Sequence, residues 1–303
     1  MKSDRQIMNE LAVKSGYFHS LTEEESQAQK KQLLAMFKDI VALCKANNLI
    51  YMMGGGSCLG AIRHQGYIPW DDDIDLNMPR ESYERFIELC NKGALGNKYE
   101  IDTPNAVKDC KNAHLKVYRR GTMDKEIHCE TTPFPNGVFI DIFPMDSAPA
   151  SPMIRKLRGY ISDFLQAVCT CVLYAQYPSK KYKEFMSLDP DGKKRYNQRI
   201  FLGKVFGIIP HRKWVWWFDR FNASSKDTGF VTIPTGIKHY VGETRPYDVY
   251  FPVTTAMFEG IEVCVPSNYD AYLTSMYRNY MELPPVEKRE RHFVYEFNIP
   301  ADL

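Results

Sequence analysis

The chain has 303 residues, 44% of them apolar and 25% charged, with a net charge of +2. That balance suits one large folded domain or two modest ones and excludes a disordered chain or a nucleic-acid arm. Aromatic residues reach 13%, yet no basic block or RNA-binding signature accompanies them, so no nucleic-acid partner is expected.

The eight cysteines form no CxxC pair and no secreted-framework spacing, and the N-terminal MKSDRQIMNELAVKSGYF has no apolar core of signal-peptide length. Zinc is therefore not expected, and a reducing cytoplasm with free, mostly buried thiols is. The longest apolar stretch, FLQAVCTCVLYA from Phe164, is too short to span a bilayer and reads as a buried helix.

In chain order, Thr22 and Glu25 form a capping-box pattern, and Leu33, Leu34, Phe37, Ile40, Val41 and Cys44 follow at helical spacing, which predicts a helix over about 22–47. Leu49–Met53 is a short apolar run ended by three glycines, so a strand leading into a tight turn is expected, with Ser57 opening a short helix. DIDLNM alternates before Pro79, which predicts a strand with Asp73, Asp75 and Asn77 on one face. RESYERFIELC reads as a helix, and NAHLKVYRRGT as a strand and turn. NGVFIDIFPMD reads as a turn and a strand whose apolar run Asp141 interrupts, and a lone carboxylate there needs a partner. From about 151 to 230 the pattern is mostly helical. From 231 short strands and turns return, ending in a helical YDAYLTSMYRNYM. The fold class is therefore α+β, a mixed α/β protein, with divisions at 1–150, 151–230 and 231–303 that are expected to form one compact unit.

Asp71, Asp72, Asp73 and Asp75 are four carboxylates in five positions, and they repel one another unless a cation, a basic partner or open water relieves them. A solvated loop fits poorly between Trp70 and an alternating strand, and a helix cap would use only one of the four. Carboxylates on one strand face, with another on a nearby strand, match oxygen ligation of magnesium or manganese bridging phosphates. The glycines before them let a backbone approach an anion, so Gly55, Gly56 and Ser57 are candidates to cradle a phosphate, with Arg63 as a further contact. Lys116 and Arg119 are weaker phosphate candidates, and His64, His114 and His239 read as structural.

The stretch GGGSCLGAIRHQGYIPWDDDIDLNMPRESYERF resembles the signature of the LicD family, matched at Leu59, Gly60, Arg63, Gly66, Ile68, Pro69, Trp70 and Asp71 to Asp75. FIDIFPMD is similar to that family's second acidic segment, and FEGIEVCVPSNYDAYLTSMYRNYMELPP to its C-terminal one. The resemblance covers about residues 30 to 292 with a divergent middle. Where the family commonly has YG, this chain has Tyr277-Arg278.

The resemblance implies a nucleotidyltransferase-like fold: a small mixed sheet flanked by helices in a catalytic core at 1–150, a helical middle region, and a C-terminal α/β extension that completes the substrate pocket. It also implies transfer of phosphocholine or a related phospho-alcohol from CDP-choline or another CDP-alcohol to a glycan hydroxyl, free or lipid-linked, with CMP leaving. Lipopolysaccharide, teichoic acid or capsule would be the pathway. Fukutin-related protein, a ribitol-phosphate transferase, shares the acidic motif, so the motif specifies chemistry better than substrate.

On this reading Mg²⁺ (or Mn²⁺) is held by Asp73, Asp75 and Asp141, with Asp71 completing the shell. Asp73, Asp75 and Asp141 are the catalytic candidates, and Asp141 is also a candidate general base because burial and a nearby metal push its pKa in opposite directions. Tyr240, Tyr247, Tyr250, Phe251 and Phe258, near Glu243, Asp248, Glu259 and Glu262, could cage a trimethylammonium group.

The competing readings are a D-x-D glycosyltransferase using a nucleotide sugar, a nucleotidyltransferase releasing pyrophosphate and, least favoured, a non-enzymatic binding module. The cytoplasm, or the inner face of the cell membrane through at most peripheral contact, is the expected location. HRKWVWWFDRF (His211 to Phe221) sets basic residues before aromatics, but reads as a buried helix in preference to an interfacial one.

Overall fold

A computed structural model describes residues 7–8, 10–11, 16–285, 289 and 293–303. Helix α1 (Glu23–Ala46) begins where Thr22 accepts from the Glu25 N–H and the Glu25 carboxylate accepts from the Thr22 N–H, and it buries Leu33, Met36, Phe37, Ile40, Val41 and Cys44 on one face. Strand β1 (Met52–Met53) is shorter than the apolar run that predicts it. Leu49 closes α1 by donating to the Cys44 carbonyl and Ile50 donates to the Ser82 hydroxyl, so these amides are unavailable to a ladder. Helix α2 (Gly55–His64) starts two residues before Ser57, and β2 (Asp75–Pro79) starts after Asp73, so Asp73 precedes the strand it was expected to share.

Next come α3 (Arg80–Asn91), β3 (Tyr99–Asp102), β4 (Leu115–Arg119), β5 (Met123–Glu126) and the long β6 (Phe139–Ser147). The helical stretch comprises α4 (Pro152–Gln176), α5 (Lys180–Met186), α6 (Pro190–Phe206) and α7 (His211–Asn222). The chain then forms β7 (Phe230–Thr232), α8 (His239–Gly242), β8 (Arg245–Pro246), α9 (Tyr247–Tyr250), β9 (Thr254–Phe258), β10 (Ile261–Val265), α10 (Tyr269–Tyr277) and β11 (Val294–Asn298).

The main sheet is mixed, in the order β1-β2-β6-β4-β3, with β7 continuing from β6 and β8 from β7. Among the described residues β2 and β6 are its parallel pair, which sets Asp75 opposite Asp141, while β1 on β2 and β4 on β6 are antiparallel. Helices flank this curled sheet, so the fold is mixed α/β as expected. Its core joins Leu33, Phe37 and Ile40 of α1 to Leu76, Met78, Ile140 and Ile142 of the sheet. Phe37 lies edge-on to both Tyr51 and Phe258, which brings the β9–β10 hairpin into the same core; burying such a ring contributes about 1.5–3 kcal/mol.

One contact packs the helical stretch within itself and another joins it to the sheet. Gly203 of α6 lies so close to α4 that a Cβ there would sit 2.0 Å from the Cys171 carbonyl oxygen. Arg80, at the start of α3, donates to Asp146 of β6 at 2.8 and 2.6 Å and to Asp219 of α7 at 2.7 Å, all three side chains being buried. A guanidinium with two carboxylates satisfies its donors in a planar fork that lysine could not supply.

Candidate active site

The glycine turn seats side chains. The Gly54 N–H donates to the Asp75 carbonyl at 2.9 Å, tying the turn to the first residue of β2. A Cβ on Gly54 would lie 2.8 Å from the Asn77 amide, and one on Gly56 only 2.7 Å from an Asp71 carboxylate oxygen. Gly55 has φ +42°, with Asp75 Oδ2 and the Tyr277 hydroxyl just beyond its missing Cβ. Alanine at Gly56 would drive Asp71 away, so the glycines are explained by the carboxylates that they admit.

Asp71 thereby stands at the N-terminus of α2, where the helix dipole favours a negative charge. Sequence reasoning put a phosphate there; the structure puts an aspartate beside it. Two further expectations change with it. The Gly55 N–H donates to the Tyr272 hydroxyl at 2.9 Å. Ser57 is buried and its hydroxyl accepts from the Asp75 N–H at 2.8 Å, so it fixes the start of β2 and does not line the cavity.

Asp71, Asp72, Asp73, Asp75 and Asp141 all line one cavity of about 560 Å³, with Gly54, Gly55 and Gly56 on its wall. Asp141 faces it from β6, where His114 Nε2 lies 2.9 Å from Oδ1 and Lys116 donates to Oδ2 at 3.0 Å. Burial raises the Asp141 carboxyl, but Lys116 and His114 outweigh it and hold it down at about 2. Asp141 is thus a fixed anion at neutral pH, unlike the tunable base that the sequence led us to expect. Lys116 is not a phosphate contact in this geometry: its ammonium is buried between Asp141 and the Phe139 ring, whose centroid is 3.5 Å away. Arg63 also lies off the cavity wall, donating to the carbonyls of Tyr280 and Glu282 and so pinning the C-terminal segment.

The aromatic cage is corrected as well. Tyr240, Tyr250 and Phe258 are fully buried in the core, Tyr247 is exposed and stacks on Phe251, and of the whole Tyr240–Glu262 segment only Glu243 lines the cavity. Of the aromatic residues on the cavity wall, Tyr277 of α10 and Phe143 of β6 keep some exposure, whereas Tyr272 of α10 is as buried as Tyr240 and Tyr250. Tyr277 ends α10, and the next residue, Arg278, has φ +61° and ψ −112°. That backbone favours glycine, the residue the resembling family has there. His114, read from sequence as structural, packs on the Phe143 ring at the cavity wall.

Sequence reasoning missed a second polar group, of which Glu126 and His128 stand on this wall. Glu126, His128 and Cys129 have ligand atoms within 4.8 Å of one another, and among the described residues they are the close His/Cys/Asp/Glu group. Their signal is the contiguous EIHC. The buried Lys111 ammonium lies 3.0 Å from Glu126. Burial opposes each charge here, yet Lys111 and His128 hold the Glu126 carboxyl well below its usual range, and His128 with Lys111 lowers the Cys129 thiol. This group satisfies its own charges, and its mixed oxygen, nitrogen and sulfur donors do not suit magnesium. The side chains of Asp71, Asp73, Asp75 and Asp141 are oxygen donors, the ligand type that magnesium or manganese takes.

The site is thus built on a mixed sheet in which Asp75 and Asp141 stand opposite one another on neighbouring parallel strands, beside a glycine turn that opens a helix. Residues 48–158 match the family described as LicD/FKTN/FKRP, nucleotidyltransferase domain. The chain is 28% identical over 302 residues to the lipopolysaccharide cholinephosphotransferase LicD of Haemophilus influenzae, a match covering 91% of this chain and 97% of that protein. It is also 30% identical over 124 residues to an uncharacterized protein of Rickettsia typhi, covering 40% of each. Mannosyltransferase regulator 4 of Saccharomyces cerevisiae is 26% identical over 149 residues, 47% of this chain and 12% of that protein. Over residues 48–158 the chain is thus similar to the LicD family, and it is an enzyme, a transferase.

Proposed function

We propose that the protein transfers phosphocholine, or a closely related phospho-alcohol, from a CDP-alcohol to a hydroxyl of a lipopolysaccharide-type glycan, with release of CMP. The observation that carries this reading is the convergence of Asp71, Asp73, Asp75 and Asp141 behind the glycine turn, in a chain aligned over 91% of its length with a lipopolysaccharide cholinephosphotransferase.

Asp73 and Asp75, with Asp71 and Asp141 alongside, are the residues to hold Mg²⁺ (or Mn²⁺), which when bound neutralises the pyrophosphate and aligns it for in-line displacement. Ser57 and Gly54 position Asp75 through its own N–H and carbonyl. Lys116 and His114 keep Asp141 ionised and fixed in place. Tyr277 and Phe143 offer aromatic faces to a trimethylammonium, which has no hydrogen-bond donor to satisfy. The acceptor hydroxyl attacks the phosphorus bearing the alcohol as its proton passes to solvent, the pyrophosphate P–O bond breaks, and CMP carries away the electron pair.

Incubating the purified protein and Mg²⁺ with CDP-choline, CDP-ribitol, CDP-glycerol and UDP-sugars tests the reading. CMP from CDP-choline is expected. CDP or UDP would mean sugar transfer, pyrophosphate would mean nucleotidyl transfer, and full turnover in excess chelator would remove the metal from the scheme.

A further inference from the structure

Among the described residues no helix is long and apolar enough to cross a membrane, yet one face of the helical stretch is dressed for a lipid surface. On the N-terminal half of α4, Met153, Ile154, Leu157, Tyr160, Ile161 and Phe164 are exposed, Met153 at 82%, while Gly159 and Ser162 on the other side are buried. Spacings of three and four make these six a single stripe. At the end of α6, Phe201, Leu202 and Val205 are exposed in the same pattern, followed by Ile208 at 90%.

The two stripes are joined by a chain of ring contacts from Phe164 to Phe206, Trp214 and Trp217, with centroids 5.9, 5.7 and 5.1 Å apart. The opposite side of α4 is the one that leads toward the active site. Gly159 lets α8 approach so closely that a Cβ would meet Val241 at 2.4 Å, and exposed Ile237, just before α8, lines the cavity. Folded chains expose large apolar side chains singly, and a contiguous patch marks a docking surface.

Charge identifies the occupant. Residues 152–222 hold 14 Lys and Arg against 5 Asp and Glu, whereas the rest of the chain holds 25 against 32. Lys156, Lys204 and Lys213 are exposed among the apolar residues. A second copy would set like charges face to face. An anionic bilayer instead accepts the apolar stripe at its headgroup boundary and the lysines above it.

We propose that the face formed by α4, the end of α6 and Trp217 docks on an anionic lipid surface. The proposal goes beyond the transfer reaction and does not depend on which phospho-alcohol moves.

Flotation of the full chain with vesicles tests it, using phosphatidylcholine alone or mixed with phosphatidylglycerol. Binding to the mixed vesicles at low salt is expected, with weak binding to phosphatidylcholine alone. The exposed triple variant Leu157→Glu, Phe201→Glu, Ile208→Glu should lose at least about tenfold in partitioning while still turning over soluble donor. Lys156→Glu with Lys204→Glu should lose chiefly the phosphatidylglycerol-dependent part. No binding to either vesicle, or equal binding by the triple variant, overturns the proposal. So does a wild-type dimer in sedimentation velocity that the triple variant abolishes, since that would make the face a contact between copies.

Discussion

The sheet around the cavity and the helical stretch at 152–222 handle charge in opposite ways. The first draws carboxylates inward beside specific neighbours: His114 and Lys116 hold the Asp141 carboxylate and Lys111 that of Glu126, while Ser57 and Gly54 fix the backbone of Asp75. The second sends its cations to the surface and leaves apolar side chains exposed between them. Concentrated negative charge inside a fold needs partners with defined geometry, because desolvation strengthens repulsion as well as attraction. Surface charge beside apolar side chains needs none until a partner arrives, which separates a region built for chemistry from one built for placement.

The sharpest way to break this comparison is to remove a cavity carboxylate. Asp73→Asn or Asp75→Asn should lower CMP release by about 10³-fold or more while leaving vesicle flotation unchanged. A loss below about tenfold would show that the acidic run is not the reaction centre.

The next test cuts the join between the regions. Arg80→Met leaves Asp146 and Asp219 buried without their guanidinium, and should cost about 3–5 kcal/mol in urea unfolding. Asp146→Asn, which keeps the shape and the Asp219 pair, should cost less. If Arg80→Met costs under about 1 kcal/mol, apolar packing of α7 holds the two regions together and the ion triad contributes little.

The smallest effect sharpens the edge of the cavity. Arg278 has a positive φ that an L side chain rarely adopts, so Arg278→Gly should stabilise the protein by about 1 kcal/mol, read as a higher urea midpoint at unchanged slope. A destabilisation would mean that the arginine side chain contributes more than its backbone conformation costs.

Much of the fold was legible in the chain. The capping box at Thr22, the alternation from Asp75 and the helical periodicities after Pro79 and Pro152 act within a few residues, and the elements appear there. The meeting of the acidic run with Asp141 was legible from a recognisable pattern, and parallel pairing of β2 with β6 brings it about. The partners of individual side chains were not. Lys116 and Arg63 looked like phosphate contacts because both are cations near an anion-binding motif, but Lys116 meets a carboxylate one strand away and Arg63 meets carbonyls more than two hundred residues downstream. The tyrosines at 240 and 250 looked like a cage because aromatic clusters near carboxylates serve cages and cores alike.

By itself the sequence determined the mixed α/β class, the acidic and glycine-rich chemistry of the site and the basic character of the middle helices, because periodicity, turn propensity and charge are properties of neighbouring residues. Only the tertiary structure decided that the glycines make room for Asp71, Asp75 and Asn77, that α10 supplies the cavity's tyrosines in place of the segment before it, and that the apolar stripes of α4 and α6 join into one exposed face. Each of those outcomes depends on which distant element arrives at a given surface, and sterics and desolvation set that across the whole fold, beyond the reach of any local window.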